Sequence, residues 1–258
     1  MKYIIICISL FVPLYASAEP MEIHSKHWLF GYPKGTPATN DLIIRDSYAL
    51  SSNDDTKLAD WVAYRLTPLE VMGSLDLDRK WRADPWLQAD ETLEPGKKDD
   101  DYKGGNDGPL KLDRGHLAPL GSFKGSRYAS QVNFYSNIVP QASSLNQGPW
   151  RDLEEKVRDY VRRGNTVWVL TGPLYEKDMD PLPNADEVHK VPSGFWKVVM
   201  AMEESELKVA AFLMPQEAER SDDIEIYKIT VEQIEERSGL DLSGELAERG
   251  GFIEWLVD

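Results

Sequence analysis

The sequence predicts an α+β fold, a mainly antiparallel central sheet with helices packed against it. Three observations carry this. Runs rich in β-branched and aromatic residues outnumber helical patterns. They are joined by short, turn-forming connections rather than by helical crossovers. The clearest helical spacing is confined to one segment, 149–163, with a second, shorter one near the C-terminus.

In chain order, Lys2 precedes an almost wholly apolar run from Tyr3 to Tyr15, followed by Ala16, Ser17 and Ala18. This predicts a secretory signal peptide, residues 1–18, cleaved near Ala18. The apolar run spans 13 residues, short of the roughly 20 that cross a bilayer. The remainder, 19–258, reads as one domain that is secreted or periplasmic, with no membrane span. Residues 43–50 and 61–67 are predicted strands of a hairpin, with turn residues from Ser51 to Asp55 between them. Residues 84–108, polar and rich in Gly, Asp and Lys, read as a long surface loop. A short strand over 111–116 follows.

The predicted helix over 149–163 begins with proline, whose missing N–H costs nothing at the first helical position. Leu153, Val157, Tyr160 and Val161 fall on its core face, and Arg158, Arg162 and Arg163 suit its C-terminal dipole. Gly164 is a natural stop. Residues 167–171 predict a buried strand closed by Gly172 and Pro173. Residues 195–202 and 207–214 predict an antiparallel pair, and 231–238 a helix ended by Gly239.

With 258 residues, 41% of them hydrophobic, the chain can bury one sizeable core. Its only cysteine, Cys7, lies inside the predicted signal. A processed chain therefore has no disulfide, thiolate zinc site or cysteine nucleophile. The net charge is −15, but it is unevenly spread: residues 203–258 carry a net −11, whereas 111–163 carry a net +4. The middle of the chain is where a polyanion could dock.

That basic stretch contains the block Asp113-Arg114-Gly115-His116. An imidazole is suited to take a proton from water near neutral pH; a histidine at a strand end can equally be structural. Gly115 is expected to let the backbone turn, and Arg114 could face a phosphate. Two amide-rich clusters follow, Ser136-Asn137-Ile138-Val139-Pro140-Gln141 and Leu145-Asn146-Gln147-Gly148-Pro149-Trp150. The Asn146 amide oxygen is a hard, neutral donor of the kind magnesium accepts, or Asn146 simply caps the following helix. Glu154 lies eight residues further on, far enough to hold a cation through water rather than directly, or to be a solvated helix glutamate. His24 and His27 read as parts of a loose surface segment and His189 as structural. The tryptophans read as core, with Trp81 notable for its closeness to Arg79.

Taken together, Asp-Arg-Gly-His, Asn-x-x-Pro-Gln and Leu-Asn-Gln-Gly-x-Trp-x-x-Leu-Glu resemble the DNA/RNA non-specific endonuclease family, whose members carry a ββα-metal motif. Tyr48 to Thr67, Thr171 to Tyr175 and Pro192 to Lys197 resemble further family segments, so the likeness spans roughly residues 30 to 240. It is especially similar to secreted bacterial members of the Serratia type, from which it departs in lacking their disulfides.

The resemblance implies His116 as general base, Asn146 as the direct ligand of Mg2+ (or Mn2+), and Glu154 as the acid that holds the cation's waters. It implies Arg79 on the phosphate, Arg114 and Asn137 as further active-site residues, and Asp113 as a structural support. It implies DNA and RNA as substrates held through phosphate, cut to 5′-phosphate products, and a possible homodimer. Competing readings are a strand- or sugar-restricted nuclease and a catalytically silent nucleic-acid-binding relative. A glycoside hydrolase would need a pair of carboxylates that no motif here marks.

Overall fold

The computed structural model describes residues 22–77, 79–97, 99–243, 246 and 251–252; the predicted signal peptide, Cys7 and Trp255 lie outside the described residues. The fold is α+β. Its main sheet runs in the order β1 (Asp41–Ile44), β2 (Ala49–Asn53), β3 (Leu58–Leu66), β6 (Val167–Leu174), β7 (Gly194–Glu203), β8 (Glu206–Pro215) and β10 (Gly251–Phe252), with β9 (Lys228–Ile229) also on β8. All pairings are antiparallel except β8 with β10. A separate two-stranded ribbon pairs β4 (Leu112–His116) with β5 (Ile138–Ala142). Short helices α1 (Pro68–Val71) and α2 (Ser143–Asn146), the long α3 (Pro149–Arg162) and α4 (Val231–Ser238) complete the set. Among the described residues no helix is long and apolar enough to cross a membrane.

The period-two alternation of strands decides how the sheet is covered. On β3, Val62, Tyr64 and Leu66 face one core, and Trp61 and Ala63 the other. On β7, Phe195 and Val199 point to the first core, and Trp196, Val198 and Met200 to the second. The first core is closed by α3, through Trp150, Leu153, Val157 and Val161, and by the β4–β5 ribbon, through Ile138 and Val139. The second is closed by Trp28 of the N-terminal segment and by Val231 and Ile234 of α4. Both faces are therefore apolar, and the β4–β5–α3 unit sits on one of them.

Helix α3 matches its sequence pattern. Pro149 occupies its first turn, its expected core residues are buried, and Gly164 adopts a left-handed φ of 103° just past its end. Its N-cap is Gly148, not Asn146. A Cβ at Gly148 would lie 2.4 Å from the Ser144 carbonyl oxygen and 2.7 Å from Arg220 Cα, so the close approach demands glycine. Gly239 ends α4 with φ 73°.

Four local expectations are corrected. Residues 43–50 are not one strand: the chain reverses through 45–48, where the Arg45 N–H donates to the Tyr48 carbonyl, and splits into β1 and β2. The predicted hairpin is β2–β3. Strand β6 runs through Gly172 and Pro173 to Leu174 rather than stopping there. The 84–108 segment is not a purely surface loop, because it buries Asp84, Thr92, Leu93, Asp101 and Tyr102. Asp84 pairs with buried Arg45 and accepts from the Ser136 hydroxyl, so the buried carboxylate of this polar segment is bonded. His27 is also buried rather than loose; its Nε2 bonds the Arg45 carbonyl at 2.7 Å, and burial pushes its pKa down to about 4. His189 is structural, its ring set between the Leu182 N–H and the Glu187 carbonyl.

Candidate active site

Strand β4 brings the Asp-Arg-Gly-His block against β5, pairing His116 with Ile138 and Gly115 with Val139. Gly115 has no left-handed φ. What it supplies is room, because a Cβ there would lie 2.4 Å from Gln141 Oε1 and 2.6 Å from Gln141 Cβ on the neighbouring strand. Any side chain at 115 would push the ribbon apart and displace His116. Arg114 and His116, two residues apart, share one face of the strand.

His116 opens onto a cleft of about 530 Å3, whose walls include Arg79, Trp81, Asp113, Arg114, Asn146, Arg151, Glu154 and Arg158. The His116 Nε2 lies 3.0 Å from Asn133 Oδ1. A carbonyl oxygen can only accept, so Nε2 carries the proton and Nδ1 keeps its lone pair. The Trp81 ring lies alongside, 5.2 Å between centroids. Burial pushes the His116 pKa down to about 4, with the nearby Arg79 charge adding to the effect. The ring is neutral at physiological pH and poised to accept a proton.

On the same strand, Asp113 organises the start of the helical unit. It accepts from the Ser143 hydroxyl at 2.6 Å, Asn146 Nδ2 at 2.9 Å and Gln147 Nε2 at 2.7 Å. Asn146, which lines the cleft, commits its amide N–H to Asp113 and keeps its oxygen as an acceptor. Two turns along, Glu154 projects from α3, with Arg158 Nη1 3.8 Å from its carboxylate. Beneath it the buried Lys197 of β7 holds its ammonium 4.2 Å over the Trp150 ring and 3.4 Å from the Tyr64 hydroxyl. Burial raises the Glu154 pKa and lowers that of Lys197 to about 8, and the attraction between them opposes both shifts.

The structure brings His116, Arg79, Arg114, Asn146 and Glu154 together in this cleft and leaves Asn137 out of its walls. Asn137 is buried, and its amide is spent on the backbone: Oδ1 accepts from the Ala118 N–H, and Nδ2 donates to the carbonyls of Ala118 and Val132. It braces the loop that leaves β4 directly after His116. Arg114 is not a free phosphate-seeking cation either. Its guanidinium donates to Asp100 at 2.6 Å and to the Tyr135 hydroxyl at 2.7 Å, which itself donates to Asp100. The sequence gives no place in the site to Asn133, Arg158 or Lys197. Asn133 and Lys197 lie outside the Asp-Arg-Gly-His and Leu-Asn-Gln-Gly segments, whereas Arg158 could have been found, since it stands one helical turn beyond Glu154.

The cleft thus sets a neutral base, four arginines and two oxygen donors around one space in an otherwise acidic protein. A family model for DNA/RNA non-specific endonucleases matches residues 29–248. A nuclease from Serratia marcescens is 40% identical over 228 residues, covering 87% of this chain and 82% of the relative. The human mitochondrial endonuclease G is 30% identical over 234 residues, covering 85% and 75%. The fold is similar to that in a crystal structure of the EndoG/EndoGI complex, with a TM-score of 0.69 at 23% identity, covering 85% of this chain and 92% of that one.

Proposed function

We propose, from the premise that the chain belongs to the DNA/RNA non-specific endonuclease family and is a nuclease, that it hydrolyses both DNA and RNA internally, with His116 as general base and a divalent cation held by Asn146 and Glu154. The observation that carries this is the placement of His116, held through Nε2 by Asn133, in a cleft lined by arginines.

His116 takes a proton from water, which attacks phosphorus in line with the 3′-oxygen; the P–O3′ bond breaks, the 3′-oxygen departs and takes a proton from solvent, and the other product carries a 5′-phosphate. Arg79, exposed at the rim, binds the phosphate. Arg158 offers positive charge beside Glu154 and helps hold that carboxylate in place. Arg114, tied to Asp100 and Tyr135, maintains the cleft wall. These contacts address phosphate, which positions a nucleic acid without reading its bases, and none uses the ribose 2′-hydroxyl.

The donor set fits Mg2+, with Mn2+ as a substitute. An amide oxygen and a carboxylate are hard donors, and magnesium keeps several waters rather than demanding a full protein cage. Among the described residues, the groupings of three acidic side chains, Asp41–Asp54–Glu91 and Asp101–Asp186–Glu187, stand outside the cleft walls. When bound, the cation supplies charge against the negative charge that grows on the phosphate and the leaving oxygen.

Digestion of circular plasmid with Mg2+ and with EDTA, beside a parallel digestion of RNA, tests the reading. Mg2+-dependent nicking followed by full degradation of both substrates is expected. Cleavage of only one of them would replace this reading with a sugar-restricted nuclease. Residues 1–18 are proposed as a secretory signal. N-terminal sequencing of the exported protein should then begin at Glu19, and retention of residues 1–18 would overturn that assignment.

A further inference from the structure

Among the described residues, Trp86 is the most exposed tryptophan. Trp28, Trp61, Trp150 and Trp196 are buried, whereas Trp86 is 60% exposed. Yet it is held firmly. Its backbone N–H donates to Asp84 Oδ1 at 3.0 Å, and its ring lies 3.9 Å from the Arg45 guanidinium. The Phe134 ring lies 4.5 Å from the same guanidinium, and Arg45 is anchored by its ion pair with buried Asp84. One side of the indole is thus spent on a fixed cation, and much of the ring remains in solvent. An aromatic face that is both exposed and backed by a fixed cation is presented in one orientation to whatever lies beside it.

Its position gives it a use. Residues Arg79 and Trp81 line the cleft, and the same segment then runs beside 133–135. The Arg82 N–H donates to the Asn133 carbonyl, and the Tyr135 N–H donates to that of Arg82. Asn133 is the residue that bonds His116, and Phe134, next in sequence, belongs to the Arg45 stack. Trp86 is five positions after Trp81, at most about 17 Å of extended chain. A strand leaving the cleft along this ridge reaches the indole within a few nucleotides, at roughly 3.4 Å of rise each.

We infer that the exposed face of Trp86 is a stacking site for an unpaired nucleobase a few nucleotides from the scissile phosphate. This rests on the nuclease reading above and adds to it a contact with the base rather than the phosphate. Stacking tolerates any base, because each has a π-face, so the site strengthens binding without creating a sequence preference. A fixed ring also spares the entropy of ordering a mobile one.

The test measures binding of labelled single-stranded oligothymidylate of 16 nucleotides, and of an abasic strand with the same phosphates, by fluorescence anisotropy. It uses the full chain carrying His116→Ala, with Mg2+ present, with and without a change at Trp86. Trp86→Leu keeps Arg45 covered but removes the aromatic face, and Trp86→Phe restores one. The oligothymidylate is expected to bind more tightly than the abasic strand. Trp86→Leu should shrink that gap by about 5- to 150-fold, the range of one lost base stack, and Trp86→Phe should recover most of it. A purely structural role would shift the melting temperature and leave the gap alone. A gap that shrinks less than fivefold in Trp86→Leu overturns the stacking site while plasmid cleavage by the wild type keeps the nuclease reading. A wild type that cuts no plasmid overturns both.

Discussion

The two faces of the central sheet are packed alike but loaded differently. The face beneath α4 is closed by Trp28, Trp61, Trp196, Leu170 and Ile234, all apolar. The face beneath α3 has a largely apolar floor from which the buried Lys197 rises, and the layer above it buries Asn133, Asn137, Gln141 and Arg158. Polar groups are costly to bury unless they are bonded; here Asn133 bonds His116, Asn137 bonds the backbone after it, and Arg158 lines the cleft. One strand shows the contrast in a single step: on β7, Trp196 enters the apolar face and Lys197, its neighbour, lies under Glu154 on the other. The apolar face provides rigidity, and the polar one spends part of that rigidity on positioning charges.

The comparison can be broken first on the apolar side. Trp196→Ala should cost about 3–5 kcal/mol in urea denaturation, as for other large buried truncations, while the molecules that remain folded keep wild-type turnover. Loss of turnover in folded Trp196→Ala would mean that the two faces are not separable. Next in size is Asn137→Ala. It strips bonds from three buried backbone groups and should lower stability by roughly 3 kcal/mol, again with turnover per folded molecule largely kept. A catalytic defect at full stability would restore Asn137 to the reaction itself.

On the polar side, Glu154→Gln keeps the shape and removes the charge. A 10- to 100-fold loss of Mg2+ affinity is expected from calorimetric titration; unchanged affinity would remove Glu154 from the cation site. The subtlest effect is in the pH profile. His116 is held neutral down to about pH 4, so the base is available above that value and is lost as pH falls through it. The acid limb of kcat/KM at saturating Mg2+ should lie well below 6.5, and a limb at 6.5 would show that burial does not set the proton affinity of this ring.

Much of this was legible in the sequence because local chemistry dictated it. Proline at the start of α3, glycine after it and apolar residues at helical spacing define that helix without its neighbours. The β7–β8 pair is similarly self-announcing. What escaped depends on partners far away in the chain. The turn through 45–48 is stabilised by Asp84, and Asp100 of an apparent surface loop holds Arg114. Gly115 appeared to be a matter of backbone freedom and is instead a matter of space against Gln141. Asn133 acquires its place only when β4 and the 129–137 segment meet. The cleft residues legible from their motifs were His116, Asn146, Glu154, Arg79 and Arg114; the groups that orient two of them, Asn133 and Lys197, were not.

The central claim is that the His116 imidazole removes a proton in the reaction and does little else for the protein. The direct test is the initial rate of plasmid nicking by His116→Ala, measured with its melting temperature. A fall of at least about 100-fold, in the range for a lost general base, with little change in melting temperature, is the predicted result. A well-folded His116→Ala that nicks plasmid near the wild-type rate would contradict it.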